Sequence, residues 1–138
     1  MQSRFTHNAR GEINQLPCVF AAALRQRCAV CALARSDSGA LLCTQPLARA
    51  ACASLHGTLR DKARFALGLR NDPLSGRTSN SDELKLQCGG LGGLRAQLDS
   101  EALSVDVQRL LERLRAGGLQ DIAWEPLLRS IGLWRLDR

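Results

Sequence analysis

The chain predicts a small, mainly α-helical single-domain fold, with irregular connectors around a cysteine-ligated site. Three observations carry that expectation. At 138 residues, one core buries enough apolar surface to fold without a covalent or metal staple. Apolar residues make up 45% of the chain but aromatics only 4%, with no tyrosine, so the core is built from Leu and Ala, which favours packed helices over a β-sandwich. Six cysteines are present, and Cys28, Cys31, Cys43 and Cys52 fall within one short basic stretch.

Residues 1–16 are polar and read as an irregular N-terminal arm, leaving 17–138 as one helical domain. Within it, 17–70 reads as a basic, cysteine-rich helical pair, 71–83 as a polar loop, and 84–138 as a Gly-rich segment followed by C-terminal helices. Pro17 suits a first helical position, and CVFAAALRQRCAVCALAR carries helix-forming Ala, Leu, Arg and Gln to about Arg35. Ser36 to Gly39 (SDSG) reads as a turn, and GALLCT as a short extended or irregular connector.

Pro46 opens the longest helical signal, with Thr44 or Gln45 at its cap. Cys52, Leu55, Leu59, Ala63 and Ala66 recur along it at helical spacing. NDPLSGRTSNSDE (71–83) is a loop by composition. In LKLQCGGLGGL, Leu84 and Leu86 alternate before four glycines crowd around Leu91, a pattern that suits a tight turn or a close backbone approach. Ser104 can cap VDVQRLLERLRA, where Val107, Leu110, Leu111 and Leu114 form a stripe and Gly117 a stop. Pro126 starts a last short helix ended by Gly132, with Trp124 and Trp134 packing it onto the core.

Charge divides unevenly. Residues 1–70 hold 10 Lys/Arg against 3 Asp/Glu, and residues 71–138 hold 9 against 10. The cysteine-rich half is therefore the basic half, which suits an acidic redox partner or offsets the charge of a thiolate site. Nucleic acid is a weaker match, because no aromatics interleave with the arginines to stack on bases. No apolar run reaches the ~20 residues of a membrane span. LPCVFAAAL has the length of a signal-peptide core, but Arg25 and Arg27 follow where a small-residue cleavage site belongs. These features point to a cytoplasmic protein, where thiols stay reduced and act as ligands more than as disulfides.

Cys28 and Cys31 are three apart, so on one helical turn both sulfurs face the same side. Cys43 follows the SDSG turn, and Cys52 lies on the apolar stripe of the next helix. The expected ligand set is therefore Cys28, Cys31, Cys43 and Cys52, with Cys18, Cys88 and His56 as alternates. His56 qualifies because it lies four residues after Cys52 on the same helical face. Structural zinc commonly uses two short clips, and this chain has one. Single distant cysteines beside one clip suit an iron–sulfur cluster of the [4Fe–4S] kind. Gly89, Gly90, Gly92 and Gly93 can bring backbone N–H groups to such a centre.

The nine residues between Cys18 and Cys28 resemble half of the CX9C helical-hairpin proteins, a resemblance that implies two helices joined by disulfides. Cys43 and Cys52 depart from that pattern, with eight residues between them and Pro46 inside. Catalytic patterns are missing: there is no G-x-S-x-G, no H-E-x-x-H and no Gly-Lys-Ser/Thr phosphate loop. CAVC also lacks the preceding strand of a thioredoxin-like motif. The expected function is an iron–sulfur protein acting in electron transfer or redox sensing with a protein partner. The alternative is a zinc-stabilised module that contacts protein or nucleic acid.

Overall fold

The computed structural model describes residues 16–68 and 79–136. The expected arm over 1–16 lies outside these residues except for Leu16. Helix α1 (Ala21–Arg25) is short. It ends because Arg27 takes a left-handed backbone conformation (φ 61°). The Arg27 N–H then bonds Leu24 O at 3.0 Å and the Cys28 N–H bonds Ala23 O at 2.8 Å, the paired closure of a Schellman motif. The expected helix to Arg35 is thus corrected: Cys28 lies just past a helix end, and Cys28 and Cys31 share no helix.

The chain next touches its own distant C-terminal half. Val30 N–H bonds Val105 O at 2.8 Å, and Val107 N–H bonds Val30 O at 3.0 Å. Strands β1 (Ala34–Asp37) and β2 (Ala40–Cys43) follow as an antiparallel hairpin with Ala34 opposite Cys43. Ser38 and Gly39 both take positive φ, 54° and 86°, as a two-residue hairpin turn that follows the strand twist requires. Residues 16–18 lie along β2, where Cys18 N–H bonds Leu41 O at 2.9 Å and Cys43 N–H bonds Leu16 O at 2.8 Å. The connector around SDSG is therefore regular, and it holds Cys18 and Cys43 on adjacent paired segments.

Helix α2 (Pro46–Leu67) begins with proline at its first position and ends at Gly68, whose φ of 64° supplies the left-handed cap. Cys52, Leu55, Leu59 and Ala63 form its buried face, while Ala66, expected on that stripe, is exposed. Helix α3 (Asn80–Leu98) begins after Ser79, whose hydroxyl accepts the Asp82 N–H. Residues 80–83 are helical where a loop was expected, and 71–78 lie outside the described residues.

The four glycines belong to α3 and form no turn. A Cβ on Gly89 would stand 2.6 Å from Ile131 Cα and 2.8 Å from Ser130 O, and one on Gly93 would stand 2.5 Å from Leu127 Cδ1. Helix α5 (Trp124–Leu133) therefore lies almost against the α3 backbone, and the Ser130 hydroxyl donates to Gly89 O at 3.0 Å. Burial on this face offsets the roughly 1 kcal/mol that each glycine costs a helix.

Helix α4 (Val107–Gly117) is capped by Asp106, which accepts N–H bonds from Gln108 and Arg109, and not by Ser104. Helix α5 starts two residues before Pro126 and includes Gly132, which corrects both expected boundaries. Lys62 of α2 sits 5.1 Å from the centre of the Trp124 ring. Leu59, Leu86, Leu91, Leu94, Leu110, Leu127 and Ile131 are fully buried in one mainly α core that also takes in Phe20. Among the described residues, no helix is long and apolar enough to cross a membrane.

Candidate functional site

Four cysteines from four different segments line one cavity: Cys18, Cys31, Cys43 and Cys52. Cys18 comes from the segment beside β2, and Cys31 from the turn after Val30, which the bridge to Val105 and Val107 holds in place. Cys43 ends β2, and Cys52 occupies the second turn of α2. Thr44 closes the hairpin onto the site by bonding Leu33 O through both its backbone N–H (3.0 Å) and its hydroxyl (2.9 Å). The Arg49 Nε donates to Pro17 O at 2.7 Å, tying α2 to the segment that carries Cys18.

The cavity has a volume of about 10 Å³, room for about one water molecule. Phe20, Leu24 and Val107 make most of its wall apolar, and Arg49 and Gln108 are the polar side chains beside the thiols. Gln108 Nε2 donates to Cys31 Sγ at 3.3 Å, and the Cys43 thiol donates to Gln45 O at 3.3 Å. All six cysteines are free, so the disulfides implied by the CX9C resemblance are absent from this fold.

Burial pushes the Cys52 thiol up to about 12, the charges of Cys31, Cys18 and Cys43 add to this, and a hydrogen bond from Gln108 opposes it. Burial also raises Cys18, against a backbone hydrogen bond at Phe20, with Cys31 and Cys43 raising it further and Arg25 drawing it down. Removal from water and mutual repulsion thus disfavour several thiolates here together. A cation placed between them reverses both effects, so ligation at this site would displace protons.

Cys28 lies elsewhere. It hydrogen-bonds Cys88 of α3, whose thiol is raised by burial first and by Cys28 second. These two make a separate pair, and neither lines the cavity of the other four. His56 is also outside it: its Nε2 meets Glu83 Oε2 at 2.5 Å, and its ring packs edge-on to Phe20 at 5.9 Å between centres. Burial alone would raise the Glu83 carboxyl, but hydrogen bonds from His56 and Gln87 outweigh it and hold the group below the usual carboxylate range. Gly89, Gly90 and Gly93 face α5 or Leu59, Gly92 faces open space, and none of the four lines the thiol cavity.

Gln108 and Arg49 were not anticipated from the sequence. Arg49 stands three residues before Cys52, a spacing that places both on the same side of α2. Gln108 has no such local signal, because it is 77 residues from Cys31 and arrives only through the Val30–Val107 pairing. Among the described residues, no three side chains of metal-ligating type converge tightly enough to hold a single ion. The four thiols share a space without meeting at one point. No protein-family model, curated protein or solved structure matches this chain.

Proposed function

We propose that the chain carries an iron–sulfur cluster on Cys18, Cys31, Cys43 and Cys52 and handles single electrons with an acidic protein partner. The observation that supports this most is the gathering of four thiols, from four separate segments, around one water-sized space. A single zinc would draw its sulfurs to about 2.3 Å of one point, with no room for water among them. A cluster keeps its cysteines apart, because iron and sulfide fill the space between; the water-sized space is smaller than such a group, so loading it would require the four segments to spread. When bound, that group supplies a one-electron couple.

The chain's own residues have definable tasks in this reading. Phe20, Leu24 and Val107 keep water away from the centre, which limits loss of the metal and sets the local dielectric. Arg49 places a cation beside a site whose ligands are anionic when bound. Arg25, Arg27 and Arg35 are exposed on the segments that carry Cys18 and Cys31, and such a basic rim speeds encounter with an acidic surface.

Single Cys→Ser variants test the ligand set. After anaerobic reconstitution with iron and sulfide, changing Cys18, Cys31, Cys43 or Cys52 is expected to abolish or sharply reduce bound iron. Changing Cys28 or Cys88 is expected to leave it near the wild-type level. Equal iron loss in Cys28→Ser and in Cys18→Ser would overturn the assignment.

A further inference from the structure

We infer that Cys28 and Cys88 form a redox-active dithiol, which takes a small anionic disulfide as its oxidant and closes into an intramolecular disulfide. The inference is independent of the cluster reading, because neither residue lines the four-thiol cavity.

A short chain of hydrogen bonds places the pair. Cys28 follows α1, and its N–H bonds Ala23 O at 2.8 Å. The Ala23 N–H in turn bonds Gln87 Oε1 at 3.0 Å, and Gln87 immediately precedes Cys88 in α3. Gln87 Nε2 also donates to Val19 O at 3.3 Å. One buried carboxamide therefore holds α1 against α3 beside both thiols. The two side chains meet across this junction in a hydrogen bond, and both sulfurs are free. Thiols already in contact need little backbone movement to become a disulfide.

Their surroundings give them different tasks. Cys88 is 4% exposed, and burial keeps its thiol protonated. Cys28 is half-buried, and exposed Arg25 and Arg27 stand just before it. Exchange starts at the accessible sulfur, which is Cys28, and the arginines favour an oxidant that carries carboxylates, such as oxidised glutathione. Cys28 gives its proton to solvent and attacks one sulfur of the small disulfide. That S–S bond breaks, and one small thiolate leaves and is protonated. Cys88 then loses its proton to solvent, attacks the Cys28 sulfur and expels the second small thiolate, which is also protonated. Two electrons pass from the protein thiols to the small disulfide, leaving one protein disulfide and two small thiols. Burial of Cys88 slows the second step to roughly minutes to hours. The product ties α1 to α3 and closes a loop of about 60 residues.

The full chain is incubated with oxidised glutathione, free thiols are alkylated after an acid quench, and the peptides are mapped by mass spectrometry. The expected first protein disulfide is Cys28–Cys88, with a melting temperature raised by on the order of 10 °C. In Cys88→Ala, Cys28 is expected to retain glutathione, and in Cys28→Ala, Cys88 is expected to stay unmodified. Glutathione addition at Cys28 should slow several-fold from low to high salt, and a salt-independent rate would overturn the role given to the arginines. Mapping the wild type keeps the dithiol testable if either variant fails to fold. Cys28 and Cys88 both still alkylated after other cysteines have paired, or Cys88 modified before Cys28, would overturn the inference.

Discussion

Changing Gly89 to alanine introduces one methyl group where α3 and α5 nearly touch. The new Cβ would stand 2.6 Å from Ile131 Cα and 2.8 Å from Ser130 O. Both are backbone atoms, so no rotamer change relieves the clash and α5 must retreat by roughly 1 Å to reach ordinary contact distance. Overpacking of this kind costs about 1–3 kcal/mol, against a gain of up to about 1 kcal/mol from replacing a helical glycine. The net expectation is a loss of about 0–3 kcal/mol, each kcal/mol lowering the melting temperature by roughly 3–4 °C at this chain length. Gly92→Ala is the internal control, since nothing lies within 4 Å of its new Cβ. It should stabilise by up to about 1 kcal/mol. Thermal and urea unfolding followed by circular dichroism at 222 nm measure both variants. Gly89→Ala melting at or above Gly92→Ala would refute the close α3–α5 packing. Because this contact lies away from the cysteine cavity, both variants should load iron as the wild type does.

Other expectations concern the core, the cap and acid stability. Leu59→Ala removes a fully buried side chain that packs on Gly90, and should lower urea stability by about 2–5 kcal/mol. Asp106→Ala removes the cap that bonds Gln108 and Arg109, and should lower it by about 1 kcal/mol. Glu83 is held below the usual carboxylate range by His56 and Gln87 despite its burial. Its contribution is therefore present above the unfolded value of about 4.3 and is lost as pH falls through the lower folded value. Glu83→Gln should flatten the acid limb of stability against pH, and urea midpoints between about pH 2.5 and 6 that run parallel to wild type would contradict this.

The long helices show how much of the fold was legible. Pro46 and Gly68 mark the ends of α2 by backbone chemistry alone, and Cys52, Leu55, Leu59 and Ala63 mark its buried face by spacing. Helix α3 was hidden because glycine weakens a helix locally, while the compensating contacts come from Leu127, Ser130 and Ile131, far along the chain. The end of α1 was hidden for another reason: Arg27 adopts a positive φ with no glycine to announce it.

The cysteine site divides in the same way. Cys31, Cys43 and Cys52 were legible from the short turn and the helix that follow one another in sequence. Cys18 joins them because residues 16–18 pair with β2, and no short-range pattern reports that pairing. Cys28 drops out because the Schellman turn sends it toward Cys88. Gln108 depends on a contact between the two halves of the chain, which only the folded core creates.

Metal and sulfide analysis of the anaerobically purified chain, with its visible spectrum, decides between a cluster and zinc. A cluster on the four thiols predicts a brown protein with about four iron and four acid-labile sulfide per chain and broad absorbance that bleaches on reduction. A colourless protein with one zinc per chain and no sulfide would contradict it.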